Sequence, residues 1–254
     1  MLHCVSDLKG YSLSAKDGEI GQVEDFYFDD EKWTIRYIVL DTGRWLPGRK
    51  VLISPRSIGK ADRDNQLIDV NLTKQQIENS PSIETDKPVS RQYETIYHDY
   101  YGFPYYWGGP HLWGPAILPS AAAAPLPPTG EEEAAARRAQ RESDDPHLRS
   151  AREVRGYYIE ATDGEIGHVQ DFVVDDENWA IRYLLIDTRN WWPGKKVVVA
   201  PDWIERVSWS DSRVYVNESR ESVRRAPEYN PEEMLNRDYE SRLHRHYDRP
   251  PYWD

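Results

Sequence analysis

"DGEIGQVEDFYFDDEKWTIRYIVLDTGRWLPGRKVLISPRSI", residues 17–58, is written a second time as "DGEIGHVQDFVVDDENWAIRYLLIDTRNWWPGKKVVVAPDWI", residues 163–204. Of 42 aligned positions 24 are identical without a gap, so the two stretches are copies of one unit. The offset of 146 residues persists outside this block: Gly10 and Tyr11 match Gly156 and Tyr157, Asn71 matches Asn217, and Pro81 matches Pro227. It also carries an aromatic strip, "YETIYHDYYGFPYYW" from Tyr93, whose copy is "YESRLHRHYDRPPYW" from Tyr239. Tyr93, Glu94, His98, Tyr101, Tyr106 and Trp107 return as Tyr239, Glu240, His244, Tyr247, Tyr252 and Trp253. The strip therefore belongs to the repeated unit, and only residues 108–148 are unique to the join.

Within each copy the pattern is that of β-structure. Asp17-Gly18 and Asp163-Gly164 are hairpin-turn dipeptides. "GQVEDFYFD" and "TIRYIVLD", with their partners "GHVQDFVVD" and "AIRYLLID", are rich in β-branched and aromatic residues and flank a charged turn. "RKVLIS" and "KKVVVA" make a further strand, and "QLIDVNL" and "RVYVNE" another. Thr73 and Gln76 have the spacing of a capping box that opens a short helix before Pro81. Several short strands at close spacing predict a small antiparallel barrel, present twice.

The succession "DGEIGQVEDFYFD…IRYIVLD…KVLISPRSI…IDVNLTKQQIENSP" resembles a PRC-barrel domain. That family takes its name from the cytoplasmic barrel of the photosynthetic reaction-centre H subunit. A similar barrel closes ribosome maturation factors of the RimM type. The resemblance implies an all-β fold of two PRC-type barrels in tandem, each with a short C-terminal helix. It also implies protein docking rather than any one activity, because a fold hosts many functions. The chain then divides into a first barrel (1–86), an aromatic strip (87–107), a Pro/Ala-rich linker with a short helix (108–148), a second barrel (149–232) and a second strip (233–254). The linker helix is expected to start at a Thr129/Glu132 capping box, with Glu133 and Arg137 at i,i+4 spacing.

The formal charge is −12, which disfavours direct, non-specific binding of a nucleic-acid polyanion. Cys4 is the single cysteine, so an internal disulfide and a cysteine-based zinc site are both excluded, and a reducing, cytoplasmic setting is expected. No apolar run reaches the roughly 18 residues of a membrane span, and the opening "MLHCVSDLKG" lacks signal-peptide character.

Candidate chemistry is sparse. His98, His111, His244 and His246 are the histidines a metal would need, but only His98 and His244 correspond between copies; a histidine stacked among tyrosines explains them more simply, and no cofactor is expected. Asp29-Asp30-Glu31 and Asp175-Asp176-Glu177 read as solvated turn residues. No nucleophile elbow, phosphate loop or dinucleotide fingerprint occurs, so an enzyme is not expected. Trp45, Trp191 and Trp192 lie in loops beside basic residues, the composition of interface anchors.

The strips are the remaining candidates, through Tyr93, His98, Tyr101, Tyr106 and Trp107, and Tyr239, His244, Tyr247, Tyr252 and Trp253. Gly102 and Pro104 make the first strip too irregular for a helix interior, so residues 93–107 are expected to pack on a barrel as an intramolecular strap, with a strip for partner or self-association as the alternative. The second, with half as many aromatics, should be looser when no partner is bound. The expected function is a non-enzymatic protein-binding adaptor whose barrels pair as an intramolecular pseudo-dimer. Two alternatives follow from the resemblance: a ribosome or RNA-processing accessory factor, and a peripheral membrane or photosynthetic electron-transfer accessory.

Overall fold

The computed structural model describes residues 1–81, 89–121, 147–188, 195–230 and 235–253. Trp191, Trp192 and the expected linker helix lie outside them. The first copy supplies strands β1 (Leu2–Cys4), β2 (Ser12–Ala15), β3 (Gly18–Asp29), β4 (Thr34–Asp41), β5 (Lys50–Ile53), β6 (Ile58–Asp62) and β7 (Leu67–Val70). The second repeats them as β8 (Leu148–Ser150), β9 (Tyr158–Ala161), β10 (Gly164–Asp175), β11 (Ile181–Asp187), β12 (Lys196–Val199), β13 (Ile204–Ser208) and β14 (Arg213–Val216). Each barrel is a seven-stranded sheet, in the order β5-β4-β3-β2-β7-β6 in one and β12-β11-β10-β9-β14-β13 in the other.

The expected antiparallel pairing needs one correction. β2 and β7 run parallel, as do β9 and β14. After β5 the chain turns through Pro55–Ser57 and returns on the far side of the sheet as the β6–β7 hairpin, which sets β7 beside β2 in the same direction. β6, with its hydrophilic "IGKAD", carries too little apolar alternation to announce itself in sequence.

The compact units do not follow the sequence copies either. The first barrel comprises Leu8–Ser150 with Glu177–Ala180, and the second comprises Met1–Asp7, Ala151–Asp176 and Ile181–Asp254. β8, which opens the second copy, pairs with β3 in the first barrel, Ser150 opposite Tyr27; β1 pairs with β10 in the second, Cys4 opposite Val173. The cause lies in β3, which pairs with β2 through residues 18–22 and with β4 through 22–29, with one register shift in the first pairing and two in the second. Its last residues would otherwise present an open edge, and β8 fills it along residues 27–29. Side chains fix the exchange: Ser150 Oγ donates to Asp25 at 2.5 Å, and Ser6 Oγ donates to the equivalent Asp171.

Phe26, Phe28, Ile35, Tyr37 and Leu40 are buried in the first barrel, and Phe172, Val174, Ile181, Tyr183 and Ile186 in the second. Gly21 and Gly167 sit at φ near +140° where a Cβ would overlap the carbonyl oxygen of Asp41 or Asp187, so the strand crossing requires glycine.

The helices are α1 (Lys74–Glu78), α2 (Arg91–Tyr101), α3 (Ala151–Val154), α4 (Arg220–Arg225) and α5 (Arg237–His246). α1 opens with the Thr73/Gln76 capping box read from the sequence. α2 and α5 correct the reading of the strip as too irregular for a helix. Gly102 is a helix stop and not an interior break: at φ +65° it ends α2, its N–H donating to Asp99 and that of Phe103 to His98. The start signals, Ser90 Oγ accepting from Tyr93 N–H and Asn236 Oδ1 from Tyr239 N–H, lie just outside the aromatic stretches.

Candidate functional site: a strapped aromatic layer on each barrel

α2 lies across β4 and β5 of the first barrel. Tyr97, fully buried, donates from its hydroxyl to the Leu52 carbonyl and accepts from Ser54 N–H, both at 3.1 Å, so it holds the end of β5. Beside it Glu94 receives hydrogen bonds from Tyr106 Oη at 2.6 Å, Tyr37 Oη at 3.2 Å and Arg91 Nη1 at 2.9 Å. His98 Nδ1 is 3.1 Å from the Pro104 carbonyl, which can only accept. The ring proton therefore sits on Nδ1, and Nε2 lies 3.2 Å from the Tyr37 hydroxyl, whose single proton it shares with Glu94. Burial pushes the His98 imidazole down to about 3 and the Glu94 carboxyl up; Arg91 and the two phenols only partly restrain the latter. Burial also raises Tyr37 and Tyr106 well above the usual phenol range.

The same circuit is built on α5. Glu240 Oε1 accepts from Tyr183 and Tyr252, each at 2.9 Å, and Arg237 lies 3.2 Å from Oε2. His244 meets Tyr183 Oη at 3.0 Å and the Pro250 carbonyl at 3.1 Å, with burial lowering its proton affinity. One compensated exchange separates the copies. Leu243 replaces Tyr97 and Trp203 replaces Ser57; the Trp203 ring then packs on His244 and Tyr247, at 5.3 and 4.7 Å, as Tyr97 packs on His98 and Tyr101, at 6.1 and 4.8 Å.

The strip residues singled out from sequence thus divide into two groups. Tyr93 and Tyr239 tie their helices to the Pro81 and Pro227 carbonyls at 2.8 and 3.1 Å, and Tyr101 and Tyr247 pack inward. His98, His244, Tyr106 and Tyr252 join the circuits, while Trp107 and Trp253 form a half-buried outer layer under Arg91 and Arg237. Trp45 lies half-buried beneath Lys74, 4.7 Å from its ring. For the histidines considered as metal ligands, His98 and His244 have both ring nitrogens in hydrogen bonds, and His246 Nε2 bonds the Ser222 carbonyl at 2.9 Å. Among the described residues no group of three or more His, Cys, Asp or Glu side chains is placed to hold a metal ion.

The acidic turns need correction. Asp29 is not solvated: it is buried and accepts from Arg36 Nε and Nη2 at 3.3 and 2.9 Å. Burial opposes its ionisation, but Arg36 and the Glu31 and Lys32 amides outweigh that and hold the carboxyl below its usual range. Asp175, half-buried, pairs with Arg182 at 3.1 Å. Glu94, Arg36 and their copies were missed as site residues, although the repeat offset marked each of them twice.

Each barrel is thus strapped by an aromatic helix that is pinned to it through a buried glutamate, Glu94 in one and Glu240 in the other. The chain belongs to the PRC-barrel family: the family model, described as PRC-barrel domain, matches residues 4–77 and again 146–223. PRC-barrel domains are generally partner-interaction modules. No curated protein matches the chain. No helix among the described residues is long and apolar enough to cross a membrane.

Proposed function

We propose that this chain is a non-enzymatic adaptor of the cytoplasm whose two PRC barrels work as an intramolecular pseudo-dimer and dock protein partners through their strapped aromatic layers. The pseudo-dimer rests on one observation, the reciprocal pairing of β1 with β10 and of β8 with β3, which makes each barrel depend on both sequence copies. The absence of catalysis is supported by the use of the circuit's ionisable groups in holding α2 and α5. Cys4, its thiol pushed up to about 12 by burial, is no nucleophile at neutral pH.

One substitution tests the pairing. Cys4 lies opposite Val173, so Val173→Cys places two thiols in register. Under mild oxidation a disulfide should form within a monomer, seen as a faster-migrating band on non-reducing electrophoresis. A covalent dimer, or no bond, would defeat the intramolecular exchange. For docking, the purified intact chain should retain a protein partner at a fixed stoichiometry, and Trp107→Ala with Trp253→Ala should abolish it; retention unchanged by both substitutions would refute docking through these layers.

A further inference from the structure

The two strapped layers are finished differently. In the first barrel the chain beyond Trp107, "GGPHLWGPAILP" (108–119), folds back over the circuit. Trp113 is fully buried; its Nε1 donates to the Asn178 carbonyl at 2.8 Å and its ring lies 4.9 Å from the Arg36 guanidinium. Backbone carbonyls of this segment take the cations beneath: Leu112 O accepts from Arg36 Nη1 at 2.6 Å, Trp113 O from Arg56 Nη2 at 2.9 Å and Pro119 O from Arg56 Nη1 at 3.3 Å. Bridges from His111 to Gly114 and from Trp113 to Ala116 make the tight turn. Gly114 sits at φ +77° against the Tyr105 carbonyl, where no side chain fits.

In the second barrel the same floor is laid, and no such cover lies over it among the described residues. Arg182 stacks on Tyr252 at 3.9 Å as Arg36 stacks on Tyr106 at 3.8 Å. Yet the Arg182 side chain is 18% exposed against 0% for Arg36, and its Nε is buried with no hydrogen-bond partner among the described residues. Arg237 lies over Trp253 at 3.9 Å and is 56% exposed, against 6% for Arg91. Among the described residues Arg182 is bonded to no backbone carbonyl and stacked on no tryptophan. One residue of the floor changes sign: Asp202, exposed, stands where Arg56 stands in the first copy.

We propose that this face of the second barrel docks a partner protein's tight glycine turn bearing a tryptophan and, beside it, a lysine or arginine. The tryptophan would cover Arg182 and Tyr252 as Trp113 covers Arg36, a turn carbonyl would accept from Arg182, and the basic group would meet Asp202. The cis segment supplies the template, and the charge change supplies the selectivity. The segment 108–119 of a second copy is a poor occupant: it is held in its own barrel, and it offers carbonyl oxygens where Asp202 requires a donor. The inference rests on the adaptor reading and specifies one of its surfaces.

The test uses the intact chain and fluorescently labelled peptides followed by anisotropy. GGPHLWGPAILK, in which lysine replaces the last proline of the template, should bind saturably and more tightly than GGPHLWGPAILP. Replacing its tryptophan by alanine should weaken binding about tenfold or more, as for a central aromatic anchor. Asp202→Arg, an exposed change that restores the residue of the first copy, should reverse the preference between the two peptides. No saturable binding, or binding indifferent to both the tryptophan and Asp202→Arg, would overturn the proposal. The adaptor reading would survive that result if the intact chain still retained a partner in a Trp107- and Trp253-dependent way, and would fall with it if not.

Discussion

α2 and α5 do the same work with different materials. Both are pinned by a glutamate that two tyrosines and an arginine satisfy, and both end against a proline carbonyl. In the first barrel the arginine is sealed from water; in the second it is mostly exposed. The pinning geometry is thus separable from the degree of burial. What burial adds is a larger penalty for any error. A buried ion with its partner removed has no water to turn to, whereas an exposed one does.

The largest effect that follows is on Glu94. Glu94→Ala leaves Arg91, Tyr37 and Tyr106 buried without their acceptor and should cost about 3–5 kcal/mol. Glu240→Ala leaves Arg237 able to hydrate and should cost about 1–3 kcal/mol, mainly through the tyrosine hydroxyls. Hydrogen exchange of the β4 and β11 amides separates the two barrels in one experiment; equal loss of protection would break the comparison.

Next in size is the exchanged aromatic pair. Leu243→Tyr alone crowds Trp203 and should destabilise by about 1–3 kcal/mol. Combined with Trp203→Ser it should recover most of that loss, because the first barrel already contains this combination as Tyr97 and Ser57. A coupling energy below about 0.5 kcal/mol in the double-mutant cycle would mean that the two rings do not share one space.

These substitutions also locate what sequence reading reaches. The repeat, the strand runs and the Thr73/Gln76 cap were legible because each rests on local pattern. The exchange of β1 and β8 was not, because the two strands are three residues each and their choice of barrel is decided by a distant edge on β3 or β10. The strip was misread as irregular because Gly102 was weighed as an interruption, while Ser90 and Asn236 lay outside the stretches compared. Asp29 looked like a turn residue since its partner, Arg36, sits on the facing strand. Repetition marked the positions the two barrels share; packing distinguished those locked inward from those at the surface.

Acid titration sharpens the contrast further. His98 stays neutral in the folded protein down to about 3, whereas in an unfolded chain it protonates near 6.5. The unfolded state therefore binds more protons across this window, and stability should fall as pH drops from about 6.5 towards 3, by at most ~1.4 kcal/mol per pH unit. Glu94 acts in the opposite sense: its raised folded value gives stability that is present in acid and fades as pH rises through it, masking part of the histidine slope. His98→Gln should flatten the acid limb of a melting-temperature profile. His244→Gln should do so less, since burial lowers its imidazole but the Glu240 and Asp202 carboxylates offset part of that, whereas Arg56 and Arg36 add to burial at His98. Equal flattening would show that these charges do not distinguish the two histidines.

The smallest expected effect concerns how each helix stops. Gly102 adopts φ +65° and its copy, Asp248, φ +51°. The backbone bonds are the same: Gly102 and Asp248 N–H donate to Asp99 and Arg245, and Phe103 and Arg249 N–H to His98 and His244. An L-residue with a Cβ pays roughly 1 kcal/mol for this left-handed conformation, and aspartate is among those that tolerate it best. Asp248→Gly should therefore stabilise the second barrel by a few tenths to about 1 kcal/mol, and Gly102→Asp should destabilise the first by a similar amount. Because both positions are exposed, neither change touches the circuit, and denaturant midpoints read by unit-specific amide exchange should move in opposite directions. Two shifts of the same sign would mean that Asp248 holds its turn by something other than backbone conformation, and that the two straps differ in kind at their ends.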